Sequence, residues 1–169
     1  MNYLSNCNYH NESNHPKPGK LFLKHTKGNL SNLRIILLSP PFIYTFNRPI
    51  ASVTINPDCS YKKTILVDFT GILTTQTILA NNSILYSFTL FRIDNKHITP
   101  QALTRFDFYF INFSGASMNN TLKFQYSPCD NECYTCCTYI LELTRISSIA
   151  AIGVDMSING TLHVLTLES

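Results

Sequence analysis

Ile84-Leu-Tyr-Ser-Phe-Thr-Leu-Phe-Arg-Ile93, the turn residues Asp94-Asn95-Lys96, and then Arg105-Phe-Asp-Phe-Tyr-Phe-Ile-Asn-Phe113 decide the fold. In the first run Ile84, Tyr86, Phe88 and Leu90 alternate with Leu85, Ser87 and Thr89. In the second, Phe106, Phe108 and Phe110 alternate with Asp107 and Tyr109. A strand sends successive side chains to opposite faces, so this period of two marks half-buried β-strands. The three phenylalanines therefore read as core and not as a ligand platform.

The same signature extends in both directions. Upstream lie Arg34–Leu38 (ended by Ser39-Pro40-Pro41), Ile50–Ile55 (ended by Asn56-Pro57-Asp58) and Lys63–Phe69, with Ile65, Val67 and Phe69 on one face. Downstream lie Thr121–Tyr126 and Thr138–Leu143. Val154–Ile158 and Thr161–Leu167 flank Asn159-Gly160, a strong hairpin signal. Eight to ten strands, with no segment of helical apolar period, predict an all-β, two-sheet antiparallel β-sandwich, jelly-roll or immunoglobulin-like.

The first fifth reads differently. Asn recurs at 2, 6, 8, 11 and 14, and Pro16-Lys17-Pro18-Gly19 follows. We expect residues 1–33 to form a flexible Asn-rich arm and residues 34–169 to form the sandwich domain. Within the arm, Leu21-Phe22-Leu23 is an apolar patch suited either to a strand donated to a neighbouring subunit or to contact with its own domain.

Charged residues are 14% of the 169 and the net charge is +3. The polar surface is then largely Asn, Ser and Thr, which leaves little charge repulsion between packed copies. The charge is too small and scattered for a nucleic-acid partner. No apolar run approaches the ~20 residues of a membrane-spanning helix, and no membrane insertion is expected. Met1–Asn14 has neither a basic start nor an apolar stretch, so no standard signal peptide is expected.

Six cysteines stand at 7, 59, 129, 133, 136 and 137. Four make a Cys-x3-Cys-x2-Cys-Cys cluster between two predicted strands. Three chemistries fit. Cys59, Cys129, Cys133, Cys136 and Cys137 are disulfide candidates, with Cys136 and Cys137 taking different partners because a bond between neighbours strains the backbone. Cys7, tethered in the arm, is the candidate for an intermolecular disulfide. Cys129, Cys133, Cys136 and Cys137 could instead bind zinc or copper, although a structural zinc site usually draws on two separated pairs. Cys133-Tyr-Thr-Cys136 is formally a redox Cys-x-x-Cys, but a strand context lacks the helix N-terminus that lowers a thiol pKa.

Catalytic signatures are missing from the chain: no HExxH and no Gly-rich phosphate loop occurs. Asp68, Asp107, Glu142 and Asp155 alternate with apolar residues and are expected to face solvent. We expect no catalytic residues and no cofactor.

Ile50-Ala-Ser-Val-Thr-Ile-Asn-Pro-Asp-Cys59, the strand Lys63–Phe69, Phe88-Thr-Leu-Phe91 and Cys136-Cys-Thr-Tyr139 together resemble an uncharacterised family of small proteins from anaerobic spore-forming bacteria. The likeness covers about residues 34–167, and the family carries no activity to transfer. More loosely, the layout resembles the subunits of bacterial endospore appendages. Those are jelly-roll domains whose Cys-bearing N-terminal connector is disulfide-linked to another subunit, although this arm carries one Cys where theirs carry a pair or cluster. The resemblance implies a structural subunit that partners itself in an oligomer or filament, on the spore surface or otherwise outside the cell. The alternative is a soluble β-sandwich binding module for metal or carbohydrate.

Overall fold

The computed structural model describes residues 21–56, 63–79, 82–94, 99–113, 115–127 and 136–168. Every regular element among them is a strand: β1 (Leu21–Leu37), β2 (Ile43–Ile55), β3 (Lys63–Leu79), β4 (Asn82–Asp94), β5 (Gln101–Asn112), β6 (Ser117–Tyr126), β7 (Cys137–Ser148) and β8 (Ile152–Glu168). The strands form two sheets, in the orders β1-β8-β3-β6 and β2-β7-β4-β5. First pairs with last, second with seventh, third with sixth and fourth with fifth, all antiparallel. That nesting is what a long antiparallel hairpin gives when it is wound on itself, and it makes the fold a jelly roll and not an immunoglobulin-like sandwich.

The predicted alternation sets the core. Ile84, Tyr86, Phe88 and Leu90 on β4 and Tyr139, Leu141 and Leu143 on β7 are wholly buried. They face Val67, Phe69 and Leu73 of β3 and Ile158, Leu162 and Val164 of β8 across the sandwich. On β1 the inward parity would fail after Leu30, but a bulge restores it. The register shifts between Leu30 and Leu33, with Asn32 in the left-handed region at φ 56°. Asn tolerates that conformation better than most side chains. Leu33, Ile35 and Leu37 can then turn inward again.

Two expectations are corrected. Asn159-Gly160 does not turn the chain: β8 runs unbroken through it, with Gly160 level with Gly28 of β1 and Gly71 of β3. The glycine is there for space. A Cβ on Gly160 would stand 2.5 Å from Phe69 Cζ, and one on Gly71 would stand 2.9 Å from the same ring. The Phe69 ring lies across the sheet where those two strands carry no side chain. The second correction is the domain boundary. Residues 21–33, assigned to the arm, are the first part of β1. Leu21-Phe22-Leu23 pairs with Leu167-Thr166-Leu165 of its own β8, so it is not a strand free for donation. Residues 1–20 of the expected arm lie outside the described residues.

The two long edges of the sandwich differ. β1 and β2 lie side by side: Lys24 Nζ donates to the Thr54 carbonyl at 3.2 Å, and a Cβ on Gly28 would meet Ala51 Cβ and the Ile50 carbonyl at 2.8 Å. β5 and β6 approach far less closely. There Phe106 of β5 stacks on Phe124 of β6 with ring centroids 4.0 Å apart.

Candidate functional site: the cysteine end and the exposed apolar edges

A jelly roll places alternate connections at opposite ends. β1 starts where β8 ends, since Leu21 stands opposite Leu167, and β3 starts there too, with Lys63 opposite Glu168. Ile55, the last residue of β2, stands opposite Cys137, which in turn stands opposite Asp94, the last of β4. The Lys24–Thr54 hydrogen bond joins the two sheets at this end. Connections 56–62, 95–100 and 127–136 therefore all leave from one end, and the chain enters β1 there. All six cysteines belong to segments that attach to this end. Cys7, Cys59, Cys129 and Cys133 themselves lie outside the described residues. Cys136 and Cys137 are described, and both carry free thiols.

Cys137 opens β7 and points inward, 1% exposed. Its neighbours are set by register: Asp94 stands opposite Cys137 and Arg92 opposite Tyr139. All four side chains are buried. Arg92 Nε lies 3.4 Å from Asp94 Oδ2, and Arg92 Nη2 donates to Gln101 Oε1 at 3.1 Å. Burial pushes the Cys137 thiol up to about 11, with the charge of Arg92 pulling the other way. Burial also raises the Tyr139 hydroxyl, reinforced by Cys137. A thiol that keeps its proton at neutral pH is a poor nucleophile and a poor metal ligand. The cluster is a buried polar network at the start of β7 and the end of β4.

Sequence reasoning missed Arg92 and Asp94. The signal was present, because they continue the even-numbered inward face of Ile84, Tyr86, Phe88 and Leu90. Arg92 lay in the expected strand and Asp94 opened the expected turn, and the Arg–Asp pairing is what lets both charges point inward.

The four acids considered above sit on four strands. Asp155 accepts two 2.7 Å hydrogen bonds from Arg34, which hold its carboxyl below the usual range. Burial alone would raise Asp107, but hydrogen bonds with Ser87 and Arg105 outweigh it and hold the carboxyl low. Burial raises Glu142. Asp68 has one buried carboxyl oxygen, so it is less solvated than expected. A shallow polar depression of about 440 Å³ on the outer face of the β1-β8-β3-β6 sheet includes Arg34, Asp155, Thr74 and Gln76. Its one carboxylate is already engaged by Arg34. No group of three metal-binding side chains occurs among the described residues.

Beside the single exposed residues Ile36 and Ile72, large exposed apolar side chains gather in three places. Leu21, Phe22, Leu23 and Leu167 lie at the cysteine end, between 44% and 62% exposed. Leu38, Ile43, Tyr44 and Ile149 lie toward the opposite end. Tyr109, Ile111 and Phe113 line β5 and its exit at 72%, 63% and 54%. Such clusters are uncommon on a monomer's surface and mark contact sites.

Residues 30–166 match the family described as Domain of unknown function (DUF4489). The chain belongs to this family. A search of curated proteins finds no match. Among solved structures, the chain is similar to a chain of the infectious bursal disease virus Gx strain, at 14% identity and a TM-score of 0.45, over 88% of this chain and 36% of that one. It is likewise similar to the VP2 subviral particle of infectious bursal disease virus, at 11% identity and a TM-score of 0.43, over 88% and 38%. The chain spans little more than a third of the length of these solved chains.

Proposed function

We propose that this DUF4489 domain is a non-catalytic structural subunit that assembles with copies of itself. Disulfides between Cys7 of the N-terminal arm and cysteines of a neighbouring subunit lock the assembly. The observation that carries this reading is the crowding at one end of the sandwich. Every cysteine-bearing segment attaches there, and exposed Leu21, Phe22, Leu23 and Leu167 lie beside the point where the arm joins β1. A tethered thiol rooted beside an apolar surface can be held near a partner's cysteines, and proximity raises the effective concentration of the reacting thiols. The low charge density of the chain removes repulsion between copies. The resemblance to proteins of spore-forming bacteria supports placement on the spore or cell surface.

The test is electrophoresis of the purified protein with and without reductant, beside negative-stain microscopy. We expect high-mass species that collapse in reductant, and their loss in Cys7→Ser. A clean monomer in both lanes, with no assemblies on the grid, overturns the reading. Assembly that persists unchanged in Cys7→Ser removes the arm from the mechanism.

A further inference from the structure

We infer that β5 is the strand through which two copies pair, antiparallel and edge to edge, joining their β2-β7-β4-β5 sheets into one continuous eight-stranded sheet. The inference rests on the self-assembly reading and names the surface that carries it.

Four strands lie at sheet edges: β1, β6, β2 and β5. Natural edges are blunted by charge, proline, bulges or cover. β1 carries Lys24 and Lys27, breaks register between Leu30 and Leu33, and lies along β2. β2 carries Arg48 and Pro49 and breaks register twice, at Thr45/Arg48 and Pro49/Ala51. β6 is short and polar outward, with Asn119 accepting from Thr74 and with Lys123 exposed. β5 has none of these protections in its second half. From Arg105 to Asn112 it pairs with β4 without irregularity. Phe108-Tyr-Phe-Ile-Asn-Phe113 contains no charge, no proline and no glycine. Six residues of that composition are the signature of a segment that seeks another strand.

Both faces of this edge are apolar. Tyr109, Ile111 and Phe113 stand outward and exposed. Phe106, Phe108 and Phe110 point inward but are only partly buried, because β6 does not close over them. A second copy of β5 is the occupant that suits the edge on every count. Across Phe108–Asn112 it brings no charge, and only at the margin does Asp107 of each copy stand opposite Phe113 of the other. In a two-fold register centred on Phe110, Tyr109 of each copy stands opposite Ile111 of the other, an aromatic–β-branched pair of the kind that stabilises sheets. The free backbone groups of one edge satisfy those of the other, as in strand addition generally. Taking about 200 Å² per side chain, the three exposed residues offer roughly 400 Å² per copy, about half of the ~800 Å² per partner of a standard interface. Pairing through β5 alone is therefore reversible and concentration-dependent, and the disulfides of the proposed function are what would make it persist.

The test uses the full chain in reductant, so that disulfides do not contribute, with mass measured by light scattering over a concentration series. The variant is Tyr109→Lys/Ile111→Lys, two exposed positions where the fold has nothing to lose, and it sets like charges opposite each other across the pair. Ile72→Lys, 51% exposed on the other sheet, is the control. We expect wild type and control to show the same dimerisation midpoint and the double variant to shift it upward tenfold or more. A double variant that pairs like wild type overturns the β5 assignment while leaving self-assembly intact. A wild type that stays monomeric in reductant at every concentration also overturns it. If that wild type still forms disulfide-linked species without reductant, the proposed function survives alone.

Discussion

The two seams of this sandwich are built from the same alternating pattern and end in opposite states. At the β1–β2 seam the inward residues are small: Gly28 faces Ala51 and the Ile50 backbone, and the strands close up. At the β5–β6 seam they are large: Phe106 stacks on Phe124, which also stacks on Phe69 at 5.3 Å, and the rings stand between the strands. Side-chain volume at the seam decides whether two sheets meet at their edges or gape. A closed seam hides its edge strands, and an open one leaves an edge and its aromatics available to a partner.

This comparison can be broken first at the open seam. Phe124→Ala removes the ring shared by Phe69 and Phe106, and we expect a loss of about 3–5 kcal/mol in denaturant unfolding. A loss below about 1 kcal/mol would mean that the rings do not hold the seam. Next comes the closed seam. Gly28→Val forces atoms into Ala51 and the Ile50 carbonyl, with an expected cost of about 1–3 kcal/mol. Ala51→Gly in the same chain should recover part of that, and a double variant no better than the single would show that β1 and β2 do not rely on close packing.

A third measurement separates seam packing from burial at the cysteine end. The folded Cys137 thiol keeps its proton to about 11, whereas an ordinary thiol gives it up near 9.0. Between those values the folded state binds more protons than the unfolded, so stability falls as pH rises through that window. Cys137→Ala should flatten that part of the pH–stability curve and leave the neutral region shaped as before. An unchanged slope would place Cys137 in contact with water. The smallest effect belongs to Arg34→Ala. Its partner Asp155 is 34% exposed and Arg34 itself 65%, so we expect the least loss of the four, shrinking further in salt. A larger loss would credit the β1 edge to charge and not to Gly28.

The fold class was legible because burial on one face forces period two: Tyr139–Leu143 obeys it throughout, and in Ile84–Leu90 only the small Ser87, also wholly buried, departs from it. Strand length was not. β1 continues back through Lys-His-Thr-Lys-Gly-Asn, where every residue is polar or glycine and most are exposed, and β3 continues forward through Thr-Thr-Gln-Thr, where the buried Thr75 and Thr77 are themselves polar, so neither stretch shows an apolar alternation. Partners were not legible either, because local pattern does not say that β3 lies between β8 and β6. Gly160 shows the deeper difficulty. After Asn159 it reads as a turn, and only the distant Phe69 ring reveals that its missing side chain is what matters. At the cysteine end, spacing located a loop, but the gathering of all cysteine-bearing segments at one end needed the strand order.

Leu21 and Leu167 stand side by side at that same end. A short linker could therefore join the start of β1 to the end of β8, and a new opening at Ile149–Ala151, between β7 and β8, would give a permuted chain whose termini emerge from the far end. Reporter groups fused there would point away from Cys136 and Cys137 at the other end of the sandwich.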